Sequence, residues 1–119
     1  MQYRWRIFLA TLDPIRGSEQ GKTRPVLVIS DEDINQIMPV VTTLPLTSLK
    51  PGRTIYLNET LLPAPQTGLD RDSLVLCHQV RTLDKSRLIK QIGAVEHTGI
   101  RSAILQALCL QLAIYSTDV

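Results

Sequence analysis

Apolar residues fall into short runs over residues 1–95, and the runs are cut by frequent Pro and Gly. Pro14, Gly17, Gly21, Pro25, Pro39, Pro45, Pro51, Gly52, Pro63, Pro65 and Gly68 leave pieces too short for long helices. Pieces rich in Val, Ile, Leu and Thr between such breaks read as strands of a small sheet or barrel. Strands are expected at residues 5–12, 26–30, 40–46, 54–58, 73–81 and 88–95. The run at 26–30 is continuously apolar up to Ser30, as suits a strand buried on both sides. Residues 54–58 alternate with period two. Pro45 argues for an edge or a bulge near the end of its strand. A short helical turn is expected at 31–36, with Ser30 or Asp31 as its cap. Turns are expected at 49–53 and 84–87, and a Pro-rich loop at 61–69.

Residues 100–115 differ. Twelve of these sixteen are apolar, and none is Pro or Gly. Ile100, Ile104, Leu108 and Leu112 recur at i+4 spacing, while Leu105, Cys109 and Leu110 lie off that stripe. Such a helix has more apolar surface than one buried face uses. Burial deep in its own core or pairing with a second copy of the chain would each answer this, with pairing slightly favoured.

Length and composition bound the answer without choosing it. The 119 residues fit a single domain spanning 1–119. Aromatics make up only 4%, so the core must be aliphatic. The net charge of +2 permits a nucleic-acid partner but does not demand one. After Lys90 the only Lys or Arg is Arg101, so any basic surface comes from earlier in the chain. Cys77 and Cys109 lie in apolar runs without metal-ligand spacing, which reads as free, buried thiols in a reducing cytoplasm. No metal or other cofactor is expected. The N-terminal stretch lacks signal-peptide character, and residues 100–115 are too few to span a membrane.

Candidate chemistry concentrates between the first two strands, where the chain reads DPIRGSEQGKTRPVLVIS. Gly17 and Gly21 let backbone amides approach a ligand closely, and Arg16, Lys22 and Arg24 surround them. Amides with Arg and Lys make an anion site. Pro25 and the apolar strand fix the base of Arg24. The spacing is not that of a P-loop.

This stretch resembles the signature of the MazF/PemK (Kid-like) family of toxin endoribonucleases. LPLTS at 44–48 and VLCHQVRTLDKSRL at 75–88 are similar to later family motifs in the same order. The resemblance covers about residues 7–116. It implies a mainly β fold with some α (α+β): an SH3-like small barrel of antiparallel strands with a C-terminal helix. It also implies a homodimer formed through that helix and a sheet edge, and a MazE-like antitoxin as partner. The implied reaction is metal-independent cleavage of single-stranded RNA, in which the 2′-hydroxyl attacks the adjacent phosphate. Segments 48–53 and 62–71 vary in the family and are expected to shape substrate choice.

Carried onto this chain, Arg24 matches the family's catalytic arginine, and Thr47 the threonine that bonds the scissile phosphate. Glu19 matches a loop carboxylate and is a candidate base. Gln20 and Gln79 match polar positions along the RNA groove, with Arg16, Lys22, Arg81 and Arg87 as candidate phosphate contacts. His78 stands where many relatives carry Asp or Glu. Histidine can take or give a proton near neutrality, and alternation sets it on the face opposite Cys77. Arg4-Trp5-Arg6 replaces the Arg-Gly-acid start of many relatives. Trp5 would stack on a base or, the favoured reading, pack at the barrel end. His97, just before the last helix, is expected to be a capping or a surface residue. The rival functions are an inactive RNA- or antitoxin-binding module and a CcdB-like topoisomerase poison. The latter needs a Trp-Gly-Ile ending, and this chain ends Tyr-Ser-Thr-Asp-Val.

Overall fold

The computed structural model describes residues 1–12 and 23–115. Seven strands are placed: β1 (Arg6–Thr11), β2 (Thr23–Val28), β3 (Val40–Ser48), β4 (Glu59–Leu62), β5 (Ser73–Leu76), β6 (Arg81–Asp84) and β7 (Leu88–Ala94). Two helices accompany them, α1 (Glu32–Ile37) and α2 (Thr98–Gln111). The sheet is antiparallel in the order β4-β5-β3-β2-β1-β7, with β6 also on β3. This is the mainly β fold with a C-terminal helix expected from the sequence.

Strand β3 organises the sheet. On one edge its first half pairs with β6, from Val40 opposite Asp84 to Thr43 opposite Arg81. Its last residues, Leu46–Ser48, pair with β5. Pro45, which has no N–H to give, falls between these two partners. Strands β1 and β2 explain the continuous apolar runs, because both of their faces are buried. Ile7 and Leu27 join Leu44, Leu46, Val75, Ile104 and Ala107 on the face covered by α2. Phe8, Val26 and Val28 join Val41 and Leu83 on the other.

Two expected strands are corrected. Residues 54–58 form no strand. The carboxylate of Glu59 accepts the Tyr56 N–H at 3.0 Å and the Arg53 guanidinium at 2.9 and 2.7 Å, folding the segment into a turn. The strand comes later, at Glu59–Leu62, partly within the expected Pro-rich loop. The expected strand 73–81 ends at Leu76 and gives way to a single 3-10 turn, Cys77–Gln79, whose first N–H donates to the Asn58 carbonyl at 3.3 Å. The helical turn at 31–36 does form, and the Asp31 carboxylate accepts the Ile34 N–H. His97 caps α2 by accepting the Ile100 N–H at 3.2 Å.

The N-terminal turn is held by α1. Glu32 accepts the backbone N–H groups of Tyr3 and Arg4 and a side-chain N–H of Gln36. Burial alone would raise its pKa. These bonds, the Arg4 N–H foremost, override that and lower it from 4.5 to about 2. A carboxyl with a depressed folded-state pKa stabilises the fold fully above its ordinary value. That contribution is lost as pH falls from about 4.5 towards 2. We expect Glu32→Gln to flatten this acid limb in a series of thermal melts, and an unchanged limb would refute the assignment.

Trp5 sits in this turn with φ of 64°, the left-handed region that favours glycine. The MazF/PemK resemblance puts glycine at the same position. Here the ring is buried, and the guanidinium carbons of Arg4 and Arg101 each lie 5.3 Å from its centroid. Cation–π contact and burial offset the backbone strain. Trp5 therefore packs into the core cluster beneath α2 and is not free to stack on a base.

Candidate active site

Arg24 is the second residue of β2, exposed, and opposite Ala10 of β1. The β2–β3 register pairs Val28 with Thr43, Leu27 with Leu44 and Val26 with Pro45. Two residues further along that register stand Arg24 on β2 and Thr47 on β3. The β2–β3 pairing itself ends at Val26 and Pro45, while β3 continues and pairs with β5, Thr47 opposite Leu74. Beyond the end of that ladder Arg24 is exposed and Thr47 is half-buried. Beside them, Pro25, Ser48, Asp70, Arg71 and Ser73 line a hollow of about 240 Å³.

His78 is exposed on the 3-10 turn after β5, while its neighbour Cys77 is buried. The expected opposition of the two side chains is present, although a tight turn rather than a strand produces it. Burial pushes the Cys77 thiol up to about 11, helped by the nearby Glu59 charge, so it is an inert core thiol. Cys109, expected to be buried, is exposed on α2. His78 lines an open groove of about 810 Å³ with Arg53, Tyr56, Glu59, Leu110 and Gln111. Its Nε2 lies 3.2 Å from the Gln79 amide nitrogen.

Glu59 is a group in this groove that the sequence motifs do not mark. Its side chain is only 2% exposed and pairs with Arg53. The Arg53 hydrogen bond is the main reason its pKa is lowered, and the His78 charge adds to the effect. The sequence signal for it is weak: a lone acid after an alternating segment. Arg53, Asp70 and Arg71 fall within segments 48–53 and 62–71, where the sequence places substrate choice.

Arg81 and Arg87 point to the protein's own backbone. Arg81 Nη2 donates to the Leu12 carbonyl at 2.9 Å, and Arg87 Nη1 to the Thr11 carbonyl at 3.2 Å. Arg16, Glu19, Gln20 and Lys22 lie outside the described residues. Among the described residues, no group of three or more His, Cys, Asp or Glu side chains is placed to hold a metal ion, and no helix is long and apolar enough to cross a membrane.

The fold is thus a seven-stranded antiparallel sheet with a C-terminal helix, and Arg24 and Thr47 lie on its adjacent strands β2 and β3. The family model for the PemK-like, MazF-like toxin of type II toxin-antitoxin systems matches residues 3–112, and the chain belongs to that family. The chain is 37% identical over 98 residues to Endoribonuclease MazF of Staphylococcus saprophyticus, covering 77% of this chain and 76% of that protein. Its fold is similar to the Mycobacterium tuberculosis toxin MazF-mt6, with a TM-score of 0.75, 26% identity, and 92% and 98% of the two chains covered. It is likewise similar to a MazE-MazF structure from Deinococcus radiodurans, with a TM-score of 0.76, 27% identity, and 95% and 96% covered.

Proposed function

We propose that this chain is a metal-independent endoribonuclease toxin that cuts single-stranded RNA at short sequences. The observation that carries the reading is the family match over residues 3–112, and it is supported by Arg24 and Thr47 standing on adjacent strands just past the end of the β2–β3 ladder. In the proposed reaction the 2′-oxygen bonds to phosphorus as it loses its proton, and the 5′-oxygen leaves and takes one up. The products are a 2′,3′-cyclic phosphate and a 5′-hydroxyl. Charge builds on the non-bridging oxygens, where a guanidinium fork is best suited to receive it. Thr47 supplies a neutral hydrogen bond to the same phosphate. His78 is a candidate for proton transfer, since it is exposed, it lines a groove, and its ring can act as acid or base. Glu19 is the other candidate. Gln20, Gln79, Arg16 and Lys22 are proposed to contact the RNA along the groove.

Two partners follow. The Staphylococcus relative is named an endoribonuclease, and the Deinococcus structure pairs MazF with MazE. A MazE-like antitoxin is therefore proposed to bind this chain in the cytoplasm and to exclude RNA from Arg24. The second partner is another copy of the chain, bound through α2 and the β4 edge. Leu57, Tyr56, Leu110 and Leu112 leave that side apolar and open, at 84%, 62%, 42% and 47% exposure.

The test is incubation of the purified chain with a long unstructured RNA in EDTA, followed by sequencing and chemical typing of the ends. Fragments with cyclic-phosphate and 5′-hydroxyl ends at a recurring short sequence are expected. Binding without cleavage would leave a binding module, and cleavage that requires added metal would overturn the mechanism.

A further inference from the structure

The guanidiniums of Arg81 and Arg87 both turn back onto backbone carbonyls at the end of β1. Arg81 opens β6. Its carbonyl accepts the hydroxyl of buried Thr43 at 3.0 Å, opposite it in the register, so its backbone is locked to β3. Four residues along the same β3 strand stands Thr47. The Arg81 side chain runs the other way, to the carbonyl of Leu12 just past the end of β1.

Arg87 stands in the 3-10 turn Lys85–Arg87, which follows directly on β6. That turn is itself pinned: the Lys85 N–H donates to the Pro39 carbonyl at 2.9 Å, and the Asp84 carboxylate accepts the Ser86 N–H at 2.9 Å. From this fixed base Arg87 reaches the Thr11 carbonyl. Two cationic donors thus hold two consecutive carbonyls at one strand end. Charge-assisted bonds of this kind are shorter and stronger than neutral ones.

The strand end they hold is the one that sets Arg24. The last β1–β2 pairs are Ala10 with Arg24 and Thr11 with Thr23. A shift at Thr11 and Leu12 would pass directly into the backbone of Arg24. We propose that Arg81 and Arg87 are positioning residues that tie the end of β1, and through it Arg24, to β6 and so to β3, the strand on which Thr47 also stands. The inference rests on the ribonuclease reading for its consequence, though not for its geometry. It assigns Arg81 a different task from the phosphate contact that the sequence motif suggests.

The two tasks separate in one experiment. Arg81→Gln, Arg81→Lys and Arg87→Gln are assayed for kcat and KM on a short single-stranded RNA across a salt series, and backbone amide exchange is followed in the same proteins. As a positioning residue, Arg81→Gln lowers kcat by roughly 100-fold, the loss that about 1 Å of misplacement brings, with KM and the salt slope little changed. Arg81→Lys recovers part of kcat, and Arg87→Gln gives a smaller loss of the same kind. Exchange quickens at Ala10, Thr11, Thr23 and Arg24, while Val28 and Leu44 keep the parent rate and report an intact core. A raised KM with kcat intact and a salt slope reduced by about 0.7 would mean a phosphate contact and overturn the proposal. Unchanged exchange at the strand end would overturn it as well. If the parent chain cleaves no RNA, the ribonuclease reading fails while the exchange data still decide whether the tie exists.

Discussion

Arg24→Ala should lower kcat/KM for RNA cleavage by roughly 10³-fold, the scale seen when a guanidinium facing a transferring phosphoryl group is removed. The side chain is exposed, so its loss should leave the thermal midpoint close to that of the parent chain. That combination separates a chemical role from a structural one. The physical reason lies in where charge appears. As the 2′-oxygen bonds to phosphorus, negative charge concentrates on the two non-bridging oxygens, and a planar fork can donate to both. A lysine ammonium carries the same charge as a single point on a flexible stem. Arg24→Lys should therefore recover only a minor part of the loss. The measurement is initial-rate cleavage of a fluorogenic single-stranded oligonucleotide, paired with a melt of each variant. Activity within tenfold of the parent in Arg24→Ala would remove this residue from the chemistry.

Much of this arrangement is legible in the sequence because it is written in local signals. The unbroken run after Pro25 identifies a strand buried on both faces, and the structure places Val26, Leu27 and Val28 alternately in the two cores. The stripe of Ile100, Ile104 and Leu108 identifies α2, whose buried contacts centre on Ile104 and Ala107. Of the two cap candidates before α1 it is Asp31 that caps, and His97, a cap or surface residue by its position, caps α2. What escapes is set by partners distant in the chain. Residues 54–58 alternate like a strand, yet β5 pairs with 59–62 instead, and the alternating residues are left in a turn around Glu59. Period two identifies a segment able to be a strand but cannot say which neighbour will claim it. The break after Leu76 has the same origin, because the Cys77 N–H finds the Asn58 carbonyl rather than a strand. The Arg24–Thr47 placement is legible only through the family motif. The Arg81 and Arg87 bonds to β1 are not, since both residues read equally well as surface cations.

Glutamate at Leu57 and Leu110 together should convert a dimer into a monomer and reduce cleavage with it. Leu57 is 84% exposed in the single chain, and Leu110 is 42% exposed. The monomer can therefore accept both carboxylates without losing core contacts. A dimer burying this face cannot, because an unpaired charge removed from water costs about 3–5 kcal/mol. At that cost the dimer dissociation constant rises by roughly 10²–10⁴-fold. Cleavage should fall alongside because the face and the groove share residues: Leu57 and Leu110 line the same groove as His78, Arg53 and Glu59. A second copy seated on this face would supply a further wall to that groove, narrowing an open surface into a channel for an extended strand of RNA. The check is light scattering on a sizing column, run beside the cleavage assay. Ile89→Glu serves as the control, since Ile89 is 55% exposed on β7, at the opposite edge of the sheet from β4. It should alter neither mass nor rate. A double variant that remains dimeric would move the interface elsewhere on the chain. A monomer with full activity would show that one copy forms the whole site, leaving the apolar face to some task other than building the RNA groove.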